Sequence, residues 1–147
     1  MPAMSVRLKV VESAAEREAI RALRQRVFVE EQGVPPELEY DALDETADHV
    51  LALDDAGACV GTGRLVVQEP GVGRVGRMAV EASCRGTGVG AKVLAELERV
   101  ARARGLSEIV LHAQVHAQPF YDKAGYLPEG ARFEEAGIAH VTMRKRL

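Results

Sequence analysis

The sequence predicts an α/β (α+β) fold in which one mixed, mostly antiparallel sheet carries helices on both faces. Three observations support this prediction. The middle third alternates short apolar segments with turn signals. Two other segments place apolar residues at helical spacing. The second half has the order strand, helix, strand, which indicates one right-handed parallel crossover. Because no repeat or linker divides the chain, we expect a single domain over residues 1–147.

The composition limits the classes of function. The net charge of −3 argues against non-specific nucleic-acid binding, which depends on a basic surface. No apolar run approaches the roughly 20 residues of a membrane helix, and no apolar signal core follows the N-terminus. We therefore expect a cytoplasmic protein without a membrane partner. Cys59 and Cys84 lack CxxC spacing, so free thiols are expected.

The first third predicts a strand and then a helix. Residues 8–11 have strand character, and Ser13 with Glu16 forms a capping box that begins a helix. The apolar stripe of this helix comprises Ala19, Ile20, Leu23 and Val27, and the pattern ends before the prolines at 35–36. The acidic residues at 37–48 suggest a short helix or loop that covers the core.

The middle of the chain predicts an antiparallel meander of three strands. Residues 49–53 and 58–60 form a hairpin, and the second strand continues through 64–67. A third strand follows at 74–80.

Beyond the meander the pattern becomes helical. The apolar stripe Val89, Val93, Leu94, Leu97 and Val100 predicts a helix that begins near Gly88 and is capped at Gly105. A strand at 109–112, a short helix at 118–124 and a closing strand at 140–143 complete the prediction.

The segment RGTGVG at residues 85–90 indicates an anion site. Alternating glycines at a helix N-terminus allow close approach of the backbone and direct unpaired N–H groups at a ligand. The helix dipole and Arg85 add positive charge, so a diphosphate is the natural occupant. The alternative is a glycine-rich turn without a ligand.

Other phosphate-binding motifs fit less well. The chain contains no Walker motif. Gly86, Gly88 and Ala91 match a relaxed dinucleotide-binding pattern, but no acidic ribose ligand follows about 20 residues later. Residues 71–76 match the strict pattern, yet they lead into a strand instead of a helix.

Three motifs resemble the signature of the GNAT-type N-acetyltransferase superfamily. They are RMAV at 77–80, RGTGVG at 85–90 and FYDKAGY at 120–126. RVFVEEQ at 26–32 and GIAHVTM at 137–143 resemble a small bacterial subgroup whose acceptor substrates are mostly undefined. The resemblance implies acetyl-CoA as co-substrate and a GNAT-like sheet. It also implies that the pantetheine arm enters where two central strands splay apart.

The resemblance further implies the cofactor-binding residues. The strand at 78–80 would pair with the pantetheine arm, and the loop would bind the diphosphate. Gln118 stands where many members carry Asn. The expected cofactor site comprises Met78, Ala79, Val80, Arg85, Gly86, Thr87, Gly88, Val89, Gly90, Gln118, Phe120 and Tyr121.

The resemblance gives Tyr121 the role of general acid, and its phenol is also suited to that role by chemistry. The alternative is a core aromatic beside Phe120. For the general base, the candidates are His112, His116 and Glu31, with Glu30 and Glu81 as rivals that would act through water. Each histidine could instead have a structural role.

Two further sites are less favoured. The spacing of His112 and His116 crosses a strand end and a loop, so we expect no metal site. Cys84 beside the loop invites a covalent acyl-cysteine route, but direct transfer needs no such residue. The acidic stretch at 37–48 either forms a rim that attracts a cationic amine or is a solvated face.

The sequence thus predicts an N-acetyltransferase that uses acetyl-CoA and direct attack in a ternary complex. The acceptor is an amine of a small molecule or peptide. The alternatives are a non-catalytic acyl-CoA binding or sensing module and, more distantly, a nicotinamide-dependent oxidoreductase. An edge strand near the C-terminus makes a homodimer possible.

Overall fold

A computed structural model describes residues 3–147 and contains one seven-stranded sheet. The strand order is β1-β2-β3-β4-β5-β7-β6. The strands are β1 (Arg7–Val10), β2 (Asp48–Leu53), β3 (Cys59–Glu69), β4 (Val72–Val80), β5 (Glu108–Gln114), β6 (Leu127–Glu135) and β7 (Ile138–Arg146). The α-helices are α1 (Ala14–Arg24), α2 (Pro36–Glu39), α3 (Val89–Ala103) and α4 (Gln118–Lys123).

Strand directions confirm the predicted fold class. Only β4 and β5 run parallel, and every other neighbouring pair is antiparallel. Helix α3 connects the parallel pair, so the crossover lies where the sequence placed it. The meander of three strands, β2 to β4, is also confirmed.

The two faces of the sheet carry separate apolar clusters. Helix α3 buries Val89, Val93, Leu94 and Leu97 on one face. On the other face, α1 buries its predicted stripe with Ile20 and Leu23. Ser13 caps α1 through the predicted capping box with Glu16. After Arg24 the helix continues as a π-helical segment, Gln25–Glu31, which the apolar spacing did not predict.

Helix α3 packs unusually close to β3 because two glycines face it. A Cβ atom at Gly61 would lie 2.6 Å from the Val89 side chain, and one at Gly63 would lie 2.7 Å from Leu97. Real Cβ atoms do not make contacts this short. The glycines therefore allow the start of α3 to lie directly on the centre of the sheet.

Strands β4 and β5 separate halfway along their length. They pair only between residues 72–75 and 108–111, after which β5 pairs with β7 alone. Strand β4 contains a bulge here, because Thr62 pairs with Ala79 whereas Arg64 pairs with Gly76. Arg77 lies in this bulge with φ of 52°, in the left-handed region. The bulge turns β4 away from β5 and opens a gap.

The prediction missed β6 entirely. This strand is largely exposed and contains Pro128 and Gly130, so it lacks the alternation of a half-buried strand. It forms the sheet edge beside β7, which is longer than predicted. Among the helices described within residues 3–147, none has the length and apolarity needed to cross a bilayer.

Candidate active site

The gap between β4 and β5 is part of a cleft of about 930 Å³. The loop at 84–90 and the start of α3 form one wall, and β4 lies along its floor. The π-helical segment and the β6–β7 hairpin form the opposite walls. The cleft therefore runs through the sheet from the side of α3 to the side of α1.

The α3 end of the cleft presents backbone donors. Gly86 and Gly88 adopt φ of 77° and 89°, which strongly favours glycine. Gly88 is the N-cap of α3, and no side chain in the described part of the protein caps this helix. The first N–H groups of α3, at Val89 to Ala91, line the cleft and have no helical partner. This arrangement is suited to a phosphate group.

Arg85 lines the same wall, but a carboxylate holds its side chain. Its guanidinium donates to both oxygens of Glu31 at 2.6 and 2.8 Å, and Nε donates to the Val80 carbonyl at 3.1 Å. The hydrogen bonds from Arg85 lower the pKa of Glu31. A carboxylate held in this way is a weak base, so the geometry disfavours Glu31 for that role.

Most of the other predicted cofactor residues also lie in the cleft. Met78, Ala79 and Val80 line it along β4, and the ring of Phe120 lies beside Gly90. Two predicted residues are not brought to the cleft. Thr87 is buried and donates its hydroxyl to the Cys84 carbonyl, so it shapes the loop. Gln118 begins α4 outside the cleft lining.

Tyr121 lies in the cleft, and its hydroxyl makes no hydrogen bond to any group of residues 3–147. Burial raises its pKa to about 12, and no hydrogen bond contributes to the shift. Among residues 3–147, no fully buried polar side-chain atom lacks a partner. The unpaired phenol oxygen must therefore reach the cleft, which Tyr121 lines. By contrast, Tyr126 donates to Glu98 at 2.8 Å within the core.

The α1 side of the cleft is an open face of the sheet. Helix α1 packs on β3 and β4, and the same face of β5, β7 and β6 extends beyond it. Side chains on this face enter the cleft, and we call them the open-face cluster. They are Arg74, His112, Gln114, Glu135 and His140.

Hydrogen bonds define which ring nitrogen of His112 carries the proton. Arg74 approaches its Nδ1 at 2.9 Å, and Glu135 lies 3.3 Å from the same nitrogen. Because arginine only donates, Nδ1 accepts in the shorter contact, and Nε2 of the neutral ring then carries the proton. His112 is therefore a poor acceptor for an amine proton in this arrangement.

His116 contacts the protein through its other ring nitrogen. Its Nε2 lies 2.6 Å from the Gln114 side-chain oxygen, and the Gln114 amide donates to Gln32 at 2.9 Å. Because an amide oxygen only accepts, Nε2 of His116 donates. Nδ1 of the neutral ring has no partner in the described part of the chain, so its lone pair is free, and His116 lines the cleft.

The sequence reasoning did not assign roles to Arg74, Gln114, Glu135 or His140. His140 is buried, and its Nδ1 donates to the Ile138 carbonyl at 2.6 Å. Its Nε2 lies 3.7 Å from Glu135. Period-two alternation in GIAHVTM predicts that His140 and the apolar Val141 lie on opposite faces of the sheet, which could have identified His140. Glu135 could not be placed on either face, because β6 was not predicted as a strand.

Three carboxylates of the acidic stretch at 37–48 are used by arginines of the protein itself, namely those of Glu39, Asp41 and Asp44. Glu39 and Asp44 are 7% and 3% exposed, so the expectation of a solvated acidic face is wrong for these residues. Arg24 donates to both carboxylates, and Arg64 donates to Asp44 and Asp41. The segment does contain a short helix, as predicted, followed by a single helical turn.

The remaining candidates are placed as follows. Cys84 is buried beside the loop, and Cys59 is buried with a pKa raised to about 11 by burial. Glu81 accepts from Arg26 at 2.7 Å, and neither Glu81 nor Glu30 lines the cleft.

Comparisons with known proteins agree with this geometry. The family model of the acetyltransferase (GNAT) domain matches residues 11–147. YjcF of Bacillus subtilis (strain 168), an uncharacterized N-acetyltransferase, is 40% identical over 124 residues, which cover 84% of this chain and 87% of YjcF.

Solved structures are also similar. One from Lactobacillus plantarum, provisionally described as an N-acetyltransferase, shares 33% identity with a TM-score of 0.90, over 97% of this chain and 99% of the other. An acyl-CoA N-acyltransferase from Pseudomonas aeruginosa shares 29% identity with a TM-score of 0.85, over 96% of this chain and 99% of the other. Since the family model spans nearly the whole chain and the fold and cleft agree with it, the protein belongs to the GNAT acetyltransferase family and is an acyltransferase.

Proposed function

We propose that this protein transfers an acetyl group from acetyl-CoA to an amine by direct attack in a ternary complex. The observation that carries the proposal is the unpaired hydroxyl of Tyr121, which reaches the cleft beside the uncapped start of α3. An acid and an anion site in one through-going cleft are suited to a thioester that carries a diphosphate.

The cleft can hold the parts of acetyl-CoA in order. The uncapped N–H groups of α3 would receive the diphosphate, and the free edge of β4 would pair with the pantetheine amides. The relative from Pseudomonas aeruginosa is itself an acyl-CoA N-acyltransferase. Acetyl-CoA supplies an activated carbonyl and a thiol leaving group.

Tyr121 would donate a hydrogen bond that stabilises the negative charge developing on the sulfur as it departs. Its raised pKa keeps the phenol protonated throughout the physiological range, so the donor is always present. Phe120 packs beside Gly90, which fixes the start of α4 against the anion site. This contact holds the acid at a set position relative to the loop.

His116 is the base that the geometry favours. Its Nε2 is oriented by Gln114, and its free Nδ1 can accept an amine proton directly or through water. Cys84 is not required, because the amine attacks the carbonyl without an acyl-enzyme.

Free-thiol release from acetyl-CoA, measured with a panel of amines, tests the proposal. We expect release that depends on an amine, and a product whose mass is increased by one acetyl group. Calorimetry with acetyl-CoA provides the matched measurement of binding. Binding without amine-dependent release from any acceptor would favour the sensing module and overturn the proposed reaction.

A further inference from the structure

The charged side chains of the cleft differ in how firmly they are held. Arg85 donates to Glu31 through two hydrogen bonds. Arg77 donates to the carbonyls of Leu38 and Glu39 and to Asp41. Glu39 itself is paired with Arg24. These groups are satisfied by the protein and offer little charge to a ligand.

Arg74 and Glu135 are the exceptions among the charged residues that line the cleft. Their nearest charged atoms are 3.8 Å apart, which is within ion-pair distance but too far for a hydrogen bond. Arg74 uses one nitrogen for His112, and its other N–H groups have no partner within residues 3–147. Both side chains are well exposed, at 37% and 45%.

Glu135 has unused capacity as an acceptor. When Arg74 donates to His112, the Nδ1 of that ring has no proton for Glu135. His140 donates from Nδ1 to Ile138, so its Nε2, 3.7 Å from Glu135, carries no proton in the neutral ring. The carboxylate therefore faces the cleft without a close donor from the part of the chain that the structure describes.

From this pair we infer that the acceptor is a small amine that also carries a carboxylate, as an amino acid does. Arg74 would bind the carboxylate, for which its planar fork is suited, and Glu135 would receive the ammonium group before it loses a proton. This inference rests on the proposed amine acetylation. It assigns the acceptor class to the open-face cluster.

The charge balance of the cleft disfavours polycationic acceptors such as aminoglycosides or polyamines. Its carboxylates at Glu31 and Glu39 are neutralised by arginines, and Asp41 and Asp44 of the neighbouring acidic stretch are paired in the same way. A polycation would find one loosely paired carboxylate, Glu135, and a repelling Arg74. A zwitterion satisfies both members of the loose pair.

Selectivity for matched acceptors tests the inference. The standard amino acids, their carboxamides, spermidine and kanamycin would be compared by thiol release, using kcat/KM. A charge-assisted bidentate contact predicts a preference of roughly ten- to hundredfold for an amino acid over its carboxamide. Arg74→Gln should abolish this preference, and Arg74→Lys should restore part of it, because the charge remains without the fork.

Arg132→Gln is the matched control, since Arg132 lies on the exposed part of β6 outside the cleft lining. It should keep the full preference. Equal use of acids and carboxamides, or a preference that survives Arg74→Gln, would overturn the inference and leave amine acetylation standing. Absence of release with every amine would overturn both.

Discussion

Replacing Tyr121 with phenylalanine separates its chemical role from its packing role. The change removes only the hydroxyl, which makes no hydrogen bond to the described protein, and leaves the ring against Phe120 and Tyr126. We therefore expect little loss of stability and an unchanged Kd for acetyl-CoA. The effect should fall on kcat.

The pKa of Tyr121 sets the size of this effect. A phenol with a pKa of about 12 is a weaker acid than an ordinary thiol by about 3.5 pKa units, or about 5 kcal/mol. Full proton transfer to a thiolate of ordinary pKa would be uphill, so donation of a hydrogen bond to the departing sulfur should dominate. Such a bond to a charged group contributes about 1.5–3 kcal/mol. We expect kcat to fall by roughly 10- to 10²-fold, at or below the lower end for general acid catalysis.

Single-turnover thiol release is the appropriate assay, because it isolates the chemical step from product release. Tyr126→Phe is the control. It removes a buried hydrogen bond to Glu98, so it should lower stability by about 1–3 kcal/mol without slowing chemistry. A single-turnover rate for Tyr121→Phe within about twofold of the parent would show that Tyr121 only packs.

Four other changes give distinct outcomes. Gly88→Val should abolish acetyl-CoA binding measured by calorimetry, while Gly57→Val, at a similar positive φ outside the cleft lining, should cost similar stability and keep binding. Cys84→Ala should keep most activity, and an acetyl group trapped on Cys84 during turnover would contradict this. Glu31→Gln frees Arg85, so acetyl-CoA affinity should rise and kcat should persist; a large loss of kcat would restore Glu31 as the base. Burial opposes ionisation of Asp44, but the hydrogen bonds and charge of Arg24 outweigh burial and lower the pKa of this carboxyl group. The ionised carboxylate therefore stabilises the fold above about pH 4, and this contribution is lost as the pH falls through the folded-state pKa. Asp44→Asn should lower Tm at neutral pH by leaving a buried arginine under-paired, and should flatten the acid limb of Tm against pH.

The sequence predicted the parts of the fold that local chemistry determines. The capping box at Ser13, the stripe of α3 and the hairpin turn after β2 each depend on residues a few positions apart. The loop at 85–90 was located for the same reason, since its glycines and the helix that follows are contiguous. Strand β6 was missed because an exposed edge strand has little apolar pattern to detect.

The part of the site that would bind the acceptor could not be predicted in the same way. Whether a charged side chain is available to a ligand depends on its partners in the folded structure, which lie far away in the sequence. Residues 37–48 are among the most acidic in the chain, yet arginines from α1, β3 and β4 use the carboxylates of Asp41 and Asp44. Arg74 looks unremarkable in sequence, but it faces the sheet surface that α1 leaves open, where the nearest carboxylate, at 3.8 Å, is beyond hydrogen-bond distance. What a binding site offers a ligand is the charge that remains after the protein's own pairing. In this cleft that remainder is one cation and one anion side by side, and a zwitterionic acceptor matches it.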